Sequence, residues 1–423
     1  MTDAVQTDDP GPLFAPPDRI ATLDILRGVA VMGILAMNIV AFAMPFQAYM
    51  NPLAYGLESQ ADLASWLVSF ILIDGKMRGF FSFMFGASTL LVIESAQASG
   101  GSPARAHYAR MGWLLVFGLL HFYLIWFGDI LAAYALCGLI LYAFRNLSVR
   151  ALVIWGIVLV ILQMLLMGFA SFGIAMLAAA AAMPDASAET LRSWHDLQRD
   201  FGGTEEAIAT SLALYQGGYA GIVTERLTNM AATPFVNTLF FGLETLGYMV
   251  LGMAAFKSGF FRGAWDETRY RKWAVTGFAI GLPVYALFAW ALLSDGFSVP
   301  MVFAISMTAT GLVRPLMVMA LAALVILLTR KGGALTDRIA AAGRAAFTNY
   351  LGTSILMTTL FYGYGFGLFG HLSRIELWIP VIAVWALMLL WSKPWLDRFR
   401  YGPFEWLWRS LARWQLQPMR KAQ

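Results

Sequence analysis

Apolar stretches of about twenty residues, the length that crosses a bilayer as a helix, recur from end to end of this chain. No other feature limits the fold so strongly. A backbone inside hydrocarbon must satisfy its own hydrogen bonds, and only helices and closed barrels do so. A barrel would alternate apolar and polar residues in segments of about ten, and no such alternation runs along the chain. The stretches predict ten membrane-spanning helices, near 22–45, 78–97, 110–128, 129–146, 150–182, 233–257, 272–294, 298–329, 343–365 and 376–392. Composition agrees: 59% of the residues are hydrophobic and 13% charged, where soluble domains carry about 25% charged residues. The expected fold class is all-α, a polytopic integral membrane protein. The segment 61–73 is apolar but too short to span alone. It reads as a re-entrant or interfacial helix, the alternative being an eleventh, short span.

Positive charge orients the bundle. With the N-terminus in the cytoplasm, 22 of the 29 Lys and Arg residues fall on inner loops. Six fall outside (Lys76, Arg78, Arg192, Arg199, Arg226 and Arg374), and Arg314 is left within the membrane. This asymmetry follows the positive-inside rule and places both termini in the cytoplasm. Counting 61–73 as a full span would reverse it. Residues 1–19 are acidic and proline-rich, lack the basic start of a cleaved signal peptide, and read as a flexible cytoplasmic tail. Residues 20–182 and 233–395 form two helical halves, joined by an outer loop at 183–232. That loop, acidic and glycine-bearing, is expected to be ordered only in part, as a solvated connector or as a lid over an outward-facing cavity. In the last segment, 396–423, Arg alternates with Trp, Phe and Tyr (RFRYGPFEWLWRSLARWQ). This pattern reads as an amphipathic helix lying on the inner leaflet.

Glu244 and Arg314 stand near the middle of two of the apolar stretches. A charge at bilayer depth is costly unless it faces protein or water and has a partner. The chain is therefore expected to enclose a polar, hydrated interior on which groups from separate spans converge. Glu244 and Arg314 fall at comparable depth and are placed to pair, either as a structural ion pair or as part of that interior's lining. Pro315, beside Arg314, interrupts the helix ladder and can turn carbonyls toward a chamber.

Six further residues bear on chemistry. Arg27 follows Asp24 by three residues on one helix face at the inner boundary. It is either an anchor paired with Asp24 or a contact for a cytosolic anion such as phosphate. Asn38 lies eleven residues on, nearly the same face and about 16 Å further up, as packing glue or as a substrate contact. Gly28 and Gly33 between them permit close helix approach. Lys76 and Arg78 precede an apolar run at the outer mouth, where they form a solvated rim or hold an anionic acceptor. His121 is placed within a span, and histidine moves protons near neutral pH. Asp129 follows eight residues later, about two turns up the same face. Along a continuous helix that is too far for a direct bond, so a water or another residue is expected between them.

Other classes are excluded or weakened. One cysteine, Cys137, permits no disulfide framework. The four histidines lack ligand spacing, so no metal site is expected. The net charge of +4 arises from basic residues scattered over short loops, which is not the footprint of a nucleic-acid binder.

Several motifs carry a resemblance. Asp24-Ile-Leu-Arg-Gly-Val-Ala-Val-Met-Gly-Ile-Leu-Ala-Met-Asn38-Ile, Phe81-Ser-Phe-Met-Phe-Gly86-Ala-Ser and the stretch His121 to Asp129 resemble the YeiB-like family of bacterial inner-membrane proteins. So do Gly343-Arg-Ala-Ala-Phe-Thr-Asn349-Tyr-Leu and Arg400-Tyr-Gly-Pro-Phe-Glu405-Trp-Leu-Trp-Arg409. Together they cover the chain from about 20 to 415. More distantly the family resembles transmembrane acyltransferases, among them sugar O-acyltransferases and the lysosomal enzyme that acetylates heparan glucosamine. The resemblance implies a multi-pass protein of the bacterial inner membrane that takes an acyl group from cytosolic acyl-CoA, with acetyl-CoA as the donor. It delivers the group to a small-molecule, glycan or lipid-linked acceptor. Membrane lipids and a second copy of the chain are its other expected partners; nucleic acid is not.

In the resemblance Arg27 matches the arginine of an "LRG" opening. The chain departs from the sugar O-acyltransferases at Asn38, where they carry histidine. The heparan enzyme also has Asn there and uses a histidine in the following outer loop, but this chain has none between Asn38 and His107. In this reading His121 serves as base with Asp129 behind it. Asn38 holds the carbonyl oxygen, Arg27 and Arg314 steady the donor, and Glu244 holds Arg314. The competing readings are a transporter for a small polar or anionic solute and a non-catalytic, lipid-binding scaffold. Against transport, the two halves show no clear inverted repeat.

Overall fold

The computed structural model describes residues 20–421, so the expected tail at 1–19 lies outside the described residues. Helix α1 (Ala21–Ala43) and the short α2 (Phe46–Met50) lead to α3 (Gln60–Val68), which widens into a π-helical segment, Ser69–Ile73, before α4 (Lys76–Ala98). Helix α5 (Pro103–Leu120) ends in a second π-helical turn, His121–Ile125. Then come α6 (Leu131–Leu141), α7 (Val149–Ala181), α8 (Ala188–Leu197), α9 (Glu205–Tyr215) and α10 (Tyr219–Thr228). The chain continues through α11 (Thr233–Lys257), α12 (Glu267–Asp295), the short α13 (Val299–Val302) and α14 (Thr310–Thr329). It closes with α15 (Ala334–Arg344), α16 (Ala346–Phe361), α17 (Trp378–Arg398) and α18 (Pro403–Arg413).

Eight helical units among the described residues are long and apolar enough to cross a membrane. They are α1, Gln60–Ala98, Pro103–Ile125, α7, α11, α12, Val299–Thr329 and α17. The fold is all-helical and the chain is a polytopic membrane protein. The expectation of ten full-length spans is corrected at two places. The chain leaves helical geometry at Trp126 and resumes it at Leu131, so the next apolar helix covers only Leu131–Phe144. The run expected at 343–365 is broken at Ala345 and turns extended at Tyr362, leaving the 16 residues of α16. The segment 61–73 is helical, as expected. A capping box between Ser59 and Asp62 opens it, and Gly75, at φ +66°, provides the turn into α4.

Helix α1 is the most buried of the candidate spans. It crosses α15 so closely that a Cβ on Gly28 would collide with the Ile339 carbonyl, and one on Gly343 with that of Asp24. Helices α4 and α11 meet the same way, Gly86 against the Met249 carbonyl and Gly252 against that of Phe83. Close approach of backbones is what small residues provide where water gives no drive to associate.

The second half of the segment 183–232 is no solvated connector. Helices α9 and α10 cap the end of the bundle where the π-helical turn of α5 emerges, while α8 buries none of its residues. Tyr219 donates its hydroxyl to the Leu124 carbonyl at 2.9 Å. The Gly363 N–H donates to the Tyr215 carbonyl at 2.8 Å, and the Gln216 amide to that of Phe369 at 2.9 Å. At the other end α18 forms inside the expected C-terminal segment and packs on α5 and α16. The Trp408 indole N–H donates to the Arg110 carbonyl at 3.0 Å. The Glu405 carboxylate accepts the first N–H groups of α16, Phe347 at 2.6 Å and Thr348 at 3.0 Å.

Candidate functional site

A histidine and an aspartate eight residues apart bond directly because the helix between them does not continue. The i→i+5 bond from the Trp126 N–H to the His121 carbonyl, 2.8 Å, widens the last turn of α5. Trp126 then goes extended, at φ −154° and ψ 132°. Its ring stacks on Phe42 at 3.8 Å between centroids, which fixes where the chain turns. Gly128 follows, lying so close to the Trp126 ring that any Cβ would clash with it. The chain thus doubles back, and Asp129 reaches His121: Nδ1 to Oδ1 is 2.8 Å, with both side chains 1% exposed. The second oxygen of Asp129 accepts the Ala132 N–H at 2.8 Å, in the first turn of α6. That bond fixes the carboxylate, and the carboxylate fixes the imidazole. The expectation of a bridging water or residue is therefore corrected. Nε2 of His121 is left buried with no hydrogen-bond partner, as is Nε1 of Trp126.

Asn38 lies beside the same rings. It lines a small cavity with Val31, Trp126, Tyr350, Thr353 and Ser354, with about 10 Å³ available to the centre of a water molecule. That is room for one water at most. His121 packs against two of these lining residues, its ring 5.2 Å from that of Tyr350 and 6.3 Å from that of Trp126. Asn38 and His121 thus flank a common aromatic pair.

Glu244 and Arg314 pair as expected, and a third member joins them. The carboxylate of Glu244 receives Arg314 on one oxygen and Arg78 on the other. Tyr248 adds its hydroxyl at 2.8 Å. Arg78 also reaches Thr245 at 3.3 Å, and Arg314 reaches Thr310 at 2.5 Å and the Ser306 carbonyl at 3.4 Å. The Ser306 carbonyl lies in the π-helical stretch Phe303–Ala309, just before α14. Lys76 is not on a solvated rim: it is 1% exposed. It donates to the carbonyls of Phe70 and Asp74 at 2.8 and 3.1 Å and sits 3.4 Å over the Tyr285 ring.

Arg27 bonds Asp24 at 3.1 Å and donates to the Ser88 hydroxyl at 3.0 Å. It has company that the sequence did not announce. Arg110 of α5 lies 4.1 Å over the Trp408 ring. Arg409 lies 4.7 Å from the Tyr401 ring. Burial above all, with the charges of Arg413 and Arg27 nearby, pushes the Arg409 guanidinium below its ordinary value, against the pull of Tyr401 and Glu405. Arginines from α1, α5 and α18 therefore meet at one end of the bundle. Each, taken alone, is accounted for by the positive-inside rule, and only the Arg–Trp alternation near 406–413 hinted at a built surface.

The eight residues singled out in the sequence thus fall into separate groups: His121 with Asp129, Asn38 at its cavity, Arg78 and Arg314 on Glu244, Lys76 on backbone carbonyls, and Arg27 with Asp24. Direct pairing takes the place of the expected single hydrated interior. Among the described residues no group of three or more His, Cys, Asp or Glu is placed to hold a metal ion.

Residues 255–415 match the family described as "Protein of unknown function (DUF418)". The chain is 32% identical over 413 residues to "Uncharacterized protein YeiB" of Escherichia coli (strain K12), covering 93% of this chain and 96% of that one. It is 30% identical over 428 residues to "Uncharacterized protein YxaH" of Bacillus subtilis (strain 168), covering 96% of each. A "39.9 kDa protein in amylase 3'region" of Bacillus acidopullulyticus is 24% identical over 403 residues.

Proposed function

The chain belongs to the YeiB-like family, DUF418, and on that premise we propose that it is a transmembrane acyltransferase. It moves an acyl group from cytosolic acyl-CoA, acetyl-CoA in the first instance, to an extracytoplasmic or lipid-linked acceptor. The observation that carries this reading is the buried His121–Asp129 pair with Nε2 open. An aspartate on Nδ1 sets the tautomer and leaves Nε2 to accept a proton, the division of labour used wherever an imidazole activates a hydroxyl or amine. Nε2 takes the acceptor's proton as its oxygen or nitrogen attacks the thioester carbonyl. The proton then passes to the departing thiolate. Asn38, across the Trp126–Tyr350 pair, is the donor for the carbonyl oxygen as negative charge develops there.

Arg27, Arg110 and Arg409 supply the cationic surface at the opposite end of α1, suited to the phosphates of a nucleotide thioester. The cavity beside His121 has room for one water at most. The reaction therefore requires α1, α5 and α16 to part around Trp126, admitting the donor's thioester arm. In this reading both termini are cytoplasmic. The two shorter helices, Leu131–Phe144 and α16, complete ten passages of an inner-membrane bundle, and Gln60–Ile73 is re-entrant. The roles given to Arg78, Glu244 and Arg314 shrink to support, since both oxygens of the Glu244 carboxylate are taken up by the two guanidinium groups and Tyr248.

The test is transfer or hydrolysis of label from acetyl-CoA by the protein purified in nanodiscs. His121→Ala is expected to stop it, and absence of acetyl-CoA binding at millimolar concentration rules the reading out. The Arg78–Glu244–Arg314 cluster, charged and at bilayer depth, favours the second reading, a permease for a small polar or anionic solute. Proteoliposome flux that depends on Glu244 and leaves the solute chemically unchanged would establish it.

A further inference from the structure

The cap holds a buried charged side chain, Arg226, that no carboxylate among the described residues pairs with. Arg226, on α10, is 1% exposed. Its Nε, Nη1 and Nη2 are all buried without a hydrogen-bond partner. The guanidinium carbon lies 6.0 Å from the centre of the Tyr362 ring. The Tyr362 hydroxyl is buried and likewise without a partner. Tyr215, on α9, closes the enclosure, its ring 4.8 Å from that of Tyr362 and 4.9 Å from that of Phe369. Burial pushes the Tyr215 hydroxyl up to about 12, with the Arg226 charge pulling it the other way. Glu225, next in sequence to Arg226, is engaged elsewhere: it accepts from the Asn229 amide at 2.7 Å.

A buried charge is tolerated when it is paired and hydrogen-bonded, and is costly when it is neither. A water between Arg226 and Tyr362 would supply hydrogen bonds and leave the charge uncompensated. An oxyanion supplies both. The planar fork of a guanidinium matches two oxygens of a carboxylate or phosphate, and a phenol hydroxyl adds one more donor.

We propose that Arg226 and Tyr362 form an oxyanion-binding site in the cap, taking a ligand that bears a carboxylate or a phosphate. The site adjoins the turn that carries His121. Helix α10 is fastened to that turn by the Tyr219–Leu124 bond, and the Tyr215 ring lies 5.8 Å from that of Phe127. If the acyl-transfer reading holds, on which this one step rests, the oxyanion belongs to the acceptor, which is then an acid or a phosphate ester. The binding site itself does not depend on that reading.

The experiment is thermal unfolding of the full chain in detergent with sodium phosphate or sodium succinate, each against sodium chloride at matched ionic strength. At least one of the two anions is expected to raise the melting temperature by about 2 °C or more. Phosphate acting alone identifies a phosphate ligand, and succinate acting alone a carboxylate. In Arg226→Met the shift disappears, while melting in chloride stays at or above the native temperature because an unpaired charge has been removed. Arg226→Lys keeps the charge and loses the fork; it carries the test if the methionine variant does not fold, and its shift should fall by at least half. Tyr362→Phe should weaken the shift without abolishing it. No shift with either anion in the native protein, or a shift undiminished in a folded Arg226 variant, overturns the proposal. Loss of acyl transfer with the anion shift intact would tell against the enzymatic reading alone.

Discussion

Two buried charge clusters occupy this bundle, and they differ in what they leave open. Around Glu244 both carboxylate oxygens are taken, by Arg78, Arg314 and Tyr248, and the arginines spend further donors on Thr245, Thr310 and Ser306. Around His121 the bonds run one way only. Ala132 and Nδ1 hold Asp129, Asp129 holds the ring, and Nε2 faces the interior with no partner. Burial and charge are common to both. Around Glu244 one donor, Arg314 Nε, is also left without a partner, but a guanidinium N–H cannot serve as a base. The open atom of His121 is one that can accept a proton, and it is this, rather than depth in the bilayer, that points to chemistry.

The sharpest way to break the contrast is to remove the carboxylate. Glu244→Ala leaves two guanidinium groups buried without compensation, and unfolding in detergent should show a loss of about 3–5 kcal/mol. A loss below about 1 kcal/mol would mean that the arginines find water, and the cluster would then line a hydrated path after all. His121→Ala should do the reverse. Acyl transfer from acetyl-CoA is expected to fall by about 10²–10⁴-fold, while stability falls by about 1–3 kcal/mol as Asp129 loses its partner and a cavity opens, so transfer is compared per folded protein. Equal collapse of stability would reduce the pair to a second structural contact. Asp129→Asn tests the link between them. The amide oxygen can still cap α6, but the NH2 then faces Nδ1 and donates to it, holding the imidazole in the tautomer protonated at Nε2, which cannot act as the base. Activity should fall on the order of 10²-fold with folding preserved, whereas Asp129→Ala should in addition lose about 1 kcal/mol as a helix cap disappears.

The saturated cluster was the more legible of the two. Glu244 and Arg314 stand in mid-stretch, and desolvation alone demands that they pair. The boundary of an apolar run, which puts Arg78 at the outer mouth, shows where a backbone crosses, not how far a long side chain reaches back. The same holds for Lys76, which is buried whole with its ammonium on the carbonyls of Phe70 and Asp74. The open pair was legible as two residues and illegible as a bond. Eight residues along a regular helix keep them apart, and only the π-helical turn and the extended Trp126, both set by packing on Phe42, bring them together. The glycines of the motifs, Gly28, Gly86 and Gly343, mark backbone crossings, as small residues in spans do. The arginine surface required Arg27, Arg110 and Arg409 to be read as one, although they come from three distant parts of the chain. The cap within 183–232 was obscured by its polarity, which suits a helix lying across a bundle end as well as a loop in water.

The remaining tests concern charges that lie between these extremes. Arg409→Ala should weaken acetyl-CoA binding about tenfold, equivalent to about 1.4 kcal/mol, with the deficit shrinking as salt screens the remaining arginines; isothermal titration at two ionic strengths reads both. Lys76→Met should change least. Its ammonium serves two backbone carbonyls and the face of Tyr285; Arg314 lies nearby, against Gly75, but Lys76 shares no hydrogen bond or ion pair with either cluster. An apolar side chain of similar length keeps the packing and removes the cost of burying a charge, so stability should stay within about 1 kcal/mol of native or rise. Transfer activity should be unchanged. A large loss of transfer at preserved stability would place Lys76 with the open pair, and the rule that saturated bonding marks structural charge would fail at the residue where it is easiest to test.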